Sequence, residues 1–273
     1  MKINIITSLN GAGLERDAEI IKAILSDHDI TISLHGRPIS ETADLHIFLE
    51  VVSNRVIGLP GKKILIPNPE WFRPEWKGYL AHFDAIFCKT NQAFDIFSNL
   101  HRNVIYCGFT SIDLMDESVT RFESSIIHFP GKSKTKGTDI LRRDFKYEVN
   151  IFSHADRSVI VQKMNQYPIH LCPSIAEGWG HYIWEAFSVG AFVITTDCQP
   201  MNEQEFIGIK LPCKISRPHG LVPTFKTNSE EISKAIGQIT PELIASARWA
   251  NRALFLKNDG EFRKRFPQLI NEI

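Results

Sequence analysis

The chain has 273 residues, 43% of them hydrophobic, which is enough for one large or two modest globular domains. Lysine plus arginine and aspartate plus glutamate each number 31, so the net charge of zero gives no general electrostatic reason to bind nucleic acid or an anionic membrane. No apolar run reaches the ~18 residues of a transmembrane helix. Met1–Thr7 leads into a glycine-containing loop and not into a signal-peptide cleavage site, which predicts a cytoplasmic protein.

The first part of the chain alternates short apolar strands with helical segments. Lys2–Ser8 predicts a strand that leads through the glycines of Asn10–Leu14 into a helix with apolar residues at helical spacing. These glycines alone do not make a dinucleotide-binding fingerprint, which needs a third glycine and a later acidic residue. Further strands are predicted at 30–34, 45–50, 63–67, 85–89 and 103–108. This order predicts a parallel sheet covered by helices, with a ligand crevice at the carboxyl ends of its strands.

An aromatic loop follows one of these predicted strands. The segment Pro67–Tyr79 contains three prolines, which restrict its backbone, and presents Trp71, Phe72 and Trp76. Aromatic faces are good platforms for sugar rings, so these three side chains are candidates for binding an acceptor sugar. The alternative is that the rings cover the sheet as part of the core.

A lysine-rich loop opens the second half of the chain. The stretch 110–123 is polar and irregular, and we expect a domain boundary there. The next predicted strand, 125–129, leads into Pro130–Gly137, which contains Lys132, Lys134 and Lys136, and then into a helix predicted to begin near residue 138. Another strand is predicted at 147–153. The loop lacks the Gly-x4-Gly-Lys-Ser/Thr order of a P-loop. Its lysines would suit a diphosphate, and the alternative is a solvated loop without a ligand.

The most informative segment, His170–Thr196, predicts a strand, a loop, a helix and a second strand. Glu177 lies in the loop, directly before Gly178 and Gly180, and Glu185 lies in the second turn of a helix that begins near residue 181. The N–H groups at the start of this helix would attract an anion. The two carboxylates would stand roughly 10 Å apart along the helix. Because they cannot share one substrate atom, the spacing suits a long ligand bound at two points with an anionic middle.

A family resemblance rests on this segment. Pro-Ser-x-x-Glu-Gly-Trp-Gly, followed by Glu-Ala-x-x-x-Gly-Ala-x-Val-Ile-Thr-Thr-Asp, resembles the donor-site signature of the retaining nucleotide-sugar glycosyltransferases of family four, which have the GT-B fold. The loop Gly131–Gly137 is similar to the family's Gly-Arg…Lys-Gly loop, with lysine at position 132 and a slightly shorter spacing. Tyr106–Asp113 is similar to the segment that closes the family's first domain. The resemblance spans most of the chain.

The resemblance implies an α/β protein of the GT-B class, with two Rossmann-like α/β/α domains that face an interdomain cleft. Residues 1–115 would form the acceptor-side domain and residues 116–255 the donor-side domain. Residues 256–273 would form a terminal helix that packs on the first domain. The function implied is transfer of a sugar from a nucleotide diphosphate sugar to an acceptor hydroxyl, with retention, in glycan or glycoconjugate synthesis.

The resemblance also implies roles for individual residues. Catalytic roles fall on Glu177, at the hydroxyls of the donor sugar, and on Lys132 and Lys136, at the diphosphate. Glu185 would accept hydrogen bonds from the ribose. Donor binding is implied for Gly11, Ala12, Gly13, Lys134, Gly178, Trp179, Gly180, His181 and Glu185. No local motif selects a first-domain histidine that approaches the donor.

The expected partners are a nucleotide-sugar donor and a glycan, lipid-linked or protein-linked acceptor, with no cofactor, no metal, no nucleic acid and no transmembrane segment. Two other functions stay open at this stage. The chain could be a sugar-nucleotide or glycan-binding module without turnover, or a glycosyltransferase that acts on nucleic acid. An inverting reaction would need a protein base near the acceptor hydroxyl.

Overall fold

The computed structural model describes residues 1–9, 13–131, 133–142, 146–153 and 156–273. The chain divides into two compact units. The first unit comprises Met1–Thr110, Pro218–Val222 and Gly260–Ile273, and the second comprises Ser111–Arg217 and Pro223–Asp259. The division after Thr110 lies close to the boundary predicted at residue 115. The first unit also includes two segments from the second half of the chain, one of them at its C-terminal end.

The first unit is built on a six-stranded sheet whose neighbouring strands all run parallel. The strands are β1 (Lys2–Thr7), β2 (Asp29–Leu34), β3 (Leu45–Leu49), β4 (Lys62–Ile66), β5 (Ala85–Cys88) and β6 (Val104–Tyr106), and the helices are α1 (Gly13–Ile24) and α2 (Asn91–Ser98). The sheet order is β2-β1-β3-β4-β5-β6. Every residue of β3 and β5 is buried, as expected for parallel strands covered on both faces. All six predicted strands are confirmed.

The second unit contains a five-stranded parallel sheet. Its strands are β7 (Ile126–His128), β8 (Asn150–Ile151), β9 (Ile169–Cys172), β10 (Phe192–Thr196) and β11 (Gly208–Leu211), in the order β11-β10-β9-β7-β8. Its helices are α3 (Arg157–Gln166), α4 (His181–Ser188) and α5 (Ser229–Ile236). A separate two-stranded sheet is formed by β12 (Lys214–His219) and β13 (Val222–Lys226). The sequence pattern did not predict β11, β12 or β13.

Two predicted elements are shorter than expected. The helix predicted from Thr138 is a short 3-10 helix, Thr138–Arg142, with only Ile140 and Leu141 as apolar residues, too few for a helical stripe. Residues 143–145 lie outside the described residues. The strand predicted at 147–153 is reduced to β8, because Glu148 and Asn150 have low strand propensity.

The C-terminal segment is one long helix, α6 (Pro241–Asn271). In the second unit, Asn251 Nδ2 donates to the carbonyl oxygens of Ala191 and Ile207, each at 2.8 Å, and Asn251 Oδ1 accepts from the backbone N–H of Ile207. In the first unit, Phe266 packs edge-on against Phe87, with ring centroids 6.1 Å apart. The helix is thus bonded to the residues that directly precede β10 and β11 in the second unit, and its last turns pack on β5 in the first unit. Within the described ranges, no helix is long and apolar enough to cross a membrane.

Candidate functional site

The strand-loop-helix-strand segment has the predicted order, with β9, α4 and β10 in sequence and β9 paired parallel to β10. Gly180 precedes α4 with φ 85° and ψ 51°, a left-handed conformation that glycine adopts at little cost. Its carbonyl accepts from the N–H groups of Ile183, at 2.9 Å, and Trp184, at 3.2 Å, so α4 begins at His181 as predicted. The first N–H groups of a helix have no carbonyl partner within it and carry its positive end. The start of α4 can therefore bind an anion.

A hydrogen-bonded cluster stands beside this helix start. Lys136 Nζ lies 2.5 Å from Glu177 Oε1, and the two side chains are 18% and 9% exposed. The same carboxylate oxygen accepts from Ser174 Oγ, whose own partner is Tyr182 OH at 2.5 Å. Because the serine hydroxyl has one hydrogen, the order of donation is Tyr182 to Ser174 to Glu177. We call Lys136, Ser174, Glu177 and Tyr182 the lysine–glutamate cluster.

Tyr182 contributes in two ways. Burial, together with the neighbouring Cys172 and Glu177, raises the pKa of Tyr182 well above its usual range, so the phenol stays protonated and donates. Its ring also lies 4.2 Å from Lys136 Nζ, a cation–π contact. The ammonium is thereby held between a carboxylate and an aromatic face.

The lysine loop is held against the segment after β9. The N–H of Ile175 donates to the carbonyl of Thr135 at 2.7 Å. Gly137 has φ 71°, and a Cβ there would stand 2.0 Å from the carbonyl oxygen of Pro173. A larger residue cannot fit without moving the loop, so glycine is required for the close approach that brings Lys136 to Glu177.

A second set of contacts fixes the loop between Glu177 and α4. Trp179 Nε1 donates to Ser111 Oγ at 3.1 Å, and Ser111 Oγ lies 2.9 Å from His181 Nδ1. If the serine donates to His181, the neutral ring carries its proton on Nε2. The rings of Trp179 and Trp184 are stacked, with centroids 4.8 Å apart and planes 4° from parallel. These contacts hold Trp179 and His181, and with them the segment Gly178–Gly180, which we call the glycine segment.

The far end of α4 is held by two arginines. Arg252 donates to the carbonyl of Ser188 at 2.7 Å and makes a bidentate ion pair with Asp113, at 2.6 and 2.8 Å. Arg121 donates to the carbonyl of Val189 at 3.1 Å. Cations at this end complement the negative pole of the helix. Glu185 lies in the second turn of α4, the position predicted from the sequence, and its side chain is buried.

The remaining residues predicted to bind the donor differ in whether the structure describes them and in how exposed they are. Gly11, Ala12 and Lys132 lie outside the described residues, and Gly13 is the first residue of α1. Lys134 is exposed in the lysine loop and Gly178 is buried. Among the residues that the structure describes, no group of three or more His, Cys, Asp or Glu side chains is placed to hold a metal ion.

The aromatic loop in the first unit contains rings of different exposure. Phe72 is buried in the core and packs edge-on against Phe97, at 5.2 Å between centroids. Its prediction as a sugar platform is therefore wrong, because its faces are covered. Trp76 is partly buried against Phe72. Trp71 is 43% exposed and contacts His219 at 4.7 Å. Trp71 keeps a surface that a ligand could reach.

Three polar residues of the site were not predicted from sequence: Ser111, Ser174 and Tyr182. Ser174 stands three residues before Glu177 in the same motif, and this closeness in sequence is a signal that its hydroxyl can reach the carboxylate. Ser111 is 68 residues from Trp179, and its role depends on the fold.

The structure resembles solved glycosyltransferases over its whole length, whereas no family model and no curated protein matches the sequence. HepE from Anabaena, in complex with UDP and glucose, has 14% identity and a TM-score of 0.71, with 100% of both chains covered. Sucrose-phosphate synthase from Thermosynechococcus elongatus has 11% identity and a TM-score of 0.75, with 100% of this chain and 98% of that chain covered.

A third similar structure is a trehalose-6-phosphate synthase studied for glycosyltransfer with retention. It has 9% identity and a TM-score of 0.70, with 100% of this chain and 99% of that chain covered. The two parallel sheets and these full-length similarities agree with the architecture expected from the motif. The protein therefore has the two-domain, Rossmann-like GT-B fold.

Proposed function

We propose that the protein is a glycosyltransferase that moves a sugar from a nucleotide diphosphate sugar to an acceptor hydroxyl, with retention and without a metal, in cytoplasmic glycan or glycoconjugate synthesis. The observation that carries the proposal is the lysine–glutamate cluster at the start of α4. It sets a cation, a carboxylate and a helix N-terminus together in the motif that resembles a donor site. HepE in complex with UDP and glucose supports a nucleotide sugar as the ligand class.

Each part of the site has a chemical task in this proposal. The start of α4 and Lys136 bind the diphosphate and stabilise the charge that develops on it. Glu177 accepts hydrogen bonds from hydroxyls of the donor sugar, and Glu185 accepts from the ribose. Lys132, Lys134 and the glycines 11 and 13 remain proposed donor contacts.

The reaction exchanges one bond at the anomeric carbon for another. The bond from this carbon to the diphosphate oxygen breaks, and a bond to the acceptor oxygen forms on the same face of the sugar. The acceptor proton passes to an oxygen of the departing phosphate, so no protein base is needed. The trehalose-6-phosphate synthase studied for retention supports this stereochemical course.

The cluster also suggests how the donor arrives. Lys136 Nζ is paired to Glu177 Oε1, 2.5 Å away. A diphosphate at the start of α4 would compete with Glu177 for the ammonium. The carboxylate would then be released to accept from the sugar hydroxyls. Binding of the diphosphate and presentation of Glu177 to the sugar would occur together.

A thermal-shift screen with UDP-, GDP-, ADP- and TDP-sugars tests the donor assignment. A ligand that binds only the folded protein stabilises it by about 2.7 kcal/mol at a concentration of 100 times Kd. We expect one nucleotide series to raise the melting temperature by several degrees, and Lys136→Ala to reduce this rise. No shift with any nucleotide sugar would contradict the proposal.

Transfer assays then separate an enzyme from a binding module. We expect slow donor hydrolysis in water and faster release of nucleotide when an acceptor is added, both unaffected by a chelator. The anomeric proton coupling of the product, measured by NMR, reports retention or inversion. Tight nucleotide-sugar binding without hydrolysis or transfer would favour a binding module.

A further inference from the structure

A set of polar side chains in the first unit stands where neighbouring strands end. Thr7 is the last residue of β1, Glu50 directly follows β3, and Asn68 lies two residues after β4. These strands are adjacent in the sheet order β1-β3-β4, and all run parallel. Their carboxyl ends therefore meet at one edge, which is where ligands bind in sheets of this kind. We call Thr7, Glu50 and Asn68 the strand-end cluster.

Glu50 has an unusual backbone conformation. Its φ is 64°, and among the described residues it is the one non-glycine residue with positive φ. A left-handed conformation costs a residue with a Cβ roughly 1–2 kcal/mol. Glycine would remove this cost, yet the position has a glutamate. Strain of this kind is stored at functional sites when the side chain has a use that a glycine cannot supply.

The carboxylate of Glu50 is held in place. Asn68 Nδ2 donates to Glu50 Oε2 at 2.7 Å, and the backbone N–H of Glu50 donates to the carbonyl of Ile66 at 2.9 Å. Burial raises the pKa of the Glu50 carboxyl, while the bond from Asn68 and the charge of Lys89 oppose that rise. Glu50 is thus a positioned hydrogen-bonding group at the sheet edge.

Lys89, a cation whose charge acts on Glu50, is already neutralised. Lys89 follows β5, and its Nζ lies 2.8 Å from Asp17 Oδ2, with both side chains almost completely buried. The ammonium also lies 4.9 Å from the ring centroid of Phe109. Lys89 cannot leave this pair without exposing a buried aspartate, a costly change. A phosphate at the strand-end cluster would therefore meet the Glu50 carboxylate, and Lys89 would not be available to balance its charge.

Two buried atoms of the cluster lack hydrogen-bond partners among the described residues: Thr7 Oγ1 and Asn68 Oδ1. Thr7 is only 2% exposed. It stands next to the paired residues Ile6 and Phe48, and so beside the end of β3. Buried polar atoms are almost always satisfied, so the hydrogen bonds at this edge of the sheet are not completed by the described residues alone. An amide oxygen and a carboxylate need donors, and the threonine hydroxyl can both donate and accept.

We infer that the strand-end cluster binds the hydroxyl groups of a neutral sugar acceptor, with Glu50 accepting from one hydroxyl and Asn68 positioning Glu50. A sugar supplies neighbouring O–H donors and oxygen acceptors, which match the groups present. A phosphate supplies mainly acceptors and negative charge, which do not. This inference rests on the proposed function, because it names the acceptor class for the same transfer reaction.

The test separates acceptor binding from donor binding. Saturation-transfer NMR, in the presence of the nucleotide identified by thermal shift, measures contact with the methyl glycosides of glucose, galactose, mannose and N-acetylglucosamine. We expect a saturation-transfer signal from at least one of these neutral sugars and no signal from glucose 6-phosphate. Glu50→Gln, Asn68→Ala and Thr7→Val should each weaken the sugar signal or raise the acceptor KM about 10-fold or more. The nucleotide Kd should stay within about twofold.

Two variants control for folding. Glu50→Gly should unfold at the same or a higher temperature than the wild type, because it removes the strain, and should still lose acceptor binding. Glu41→Gln changes an exposed carboxylate of the same unit and should change neither measurement. A lower melting temperature in Glu50→Gly would instead indicate a structural role.

Three other results would overturn the inference: no signal from any neutral sugar, an unchanged signal in Glu50→Gln, or an equal loss of nucleotide binding in that variant. If the wild-type protein binds no nucleotide sugar, the proposed function itself fails. The two failures are therefore distinguishable.

Discussion

Glu177→Gln tests whether the donor diphosphate competes for Lys136. The change keeps the size of the side chain and an oxygen that can accept from Ser174, but removes the negative charge 2.5 Å from the ammonium. This pair is partly buried, so its loss should cost between the 0–1 kcal/mol of a surface pair and the roughly 3–5 kcal/mol of a buried one. We expect about 1–2 kcal/mol of lost stability in the free protein.

The same change should strengthen nucleotide binding. A negative charge about 5 Å from a phosphate oxygen costs roughly 3 kcal/mol at an effective dielectric constant of ~20 and about 1 kcal/mol in water. The lower figure, taken as the conservative one, corresponds to about fivefold tighter binding of the nucleoside diphosphate. Transfer should fall about 100-fold or more, a loss of roughly 2.7 kcal/mol of transition-state stabilisation.

Calorimetric titration with the free nucleotide and a transfer assay measure the two effects. Glu205→Gln is the matched control, because Glu205 pairs with Lys210 at 3.1 Å but is exposed. It should change stability by less than about 0.5 kcal/mol and leave binding and transfer unchanged. Weaker nucleotide binding in Glu177→Gln, or normal transfer, would refute the competition for Lys136.

Two further predictions concern Gly137 and two buried histidines, all in the second unit. Gly137→Ala should lower nucleotide affinity about 10-fold or more, because its Cβ would overlap the carbonyl of Pro173 and displace Lys136. The control is Gly58→Ala, which has a similar φ of 73° and no atom within 4 Å of the added Cβ. It should lower the stability by only the ~1–2 kcal/mol of backbone strain. Equal nucleotide affinities in the two variants would count against the steric argument. Burial lowers the pKa of His128 and of His170 to about 4. The stability that these neutral histidines contribute is complete above the unfolded pKa of about 6.5 and is lost as the pH falls towards about 4. Urea unfolding should therefore show up to about 3 kcal/mol less stability per histidine at the lower pH. A free energy of unfolding that does not change with pH would contradict this.

The strands that position both candidate sites could be predicted because burial makes them continuous apolar runs. The hairpin of β12 and β13 could not be predicted, because Lys214–His219 is largely exposed and its sequence does not alternate between apolar and polar residues. The helix start at His181 was predictable from its glycines, which mark a change of backbone conformation.

The contacts within the sites depend on distant parts of the chain. Lys136 and Glu177 are 41 residues apart, and nothing local in either segment requires a direct ion pair. Trp71 and Phe72 are adjacent aromatic residues, yet one is exposed and the other lies in the core. Composition identifies the rings, but only the direction of each side chain decides which can meet a ligand. The conformation of Glu50 likewise has no signal in sequence, because glutamate rarely has positive φ.

The stacked indoles of Trp179 and Trp184 give the protein a built-in optical probe. Two parallel rings 4.8 Å apart couple their electronic transitions, and such coupling depends steeply on their distance and angle. Trp179 lies in the glycine segment, whereas Trp184 belongs to α4. A movement of that segment by even a fraction of an ångström would change the circular dichroism of the pair. Donor binding could therefore be followed in real time without a label.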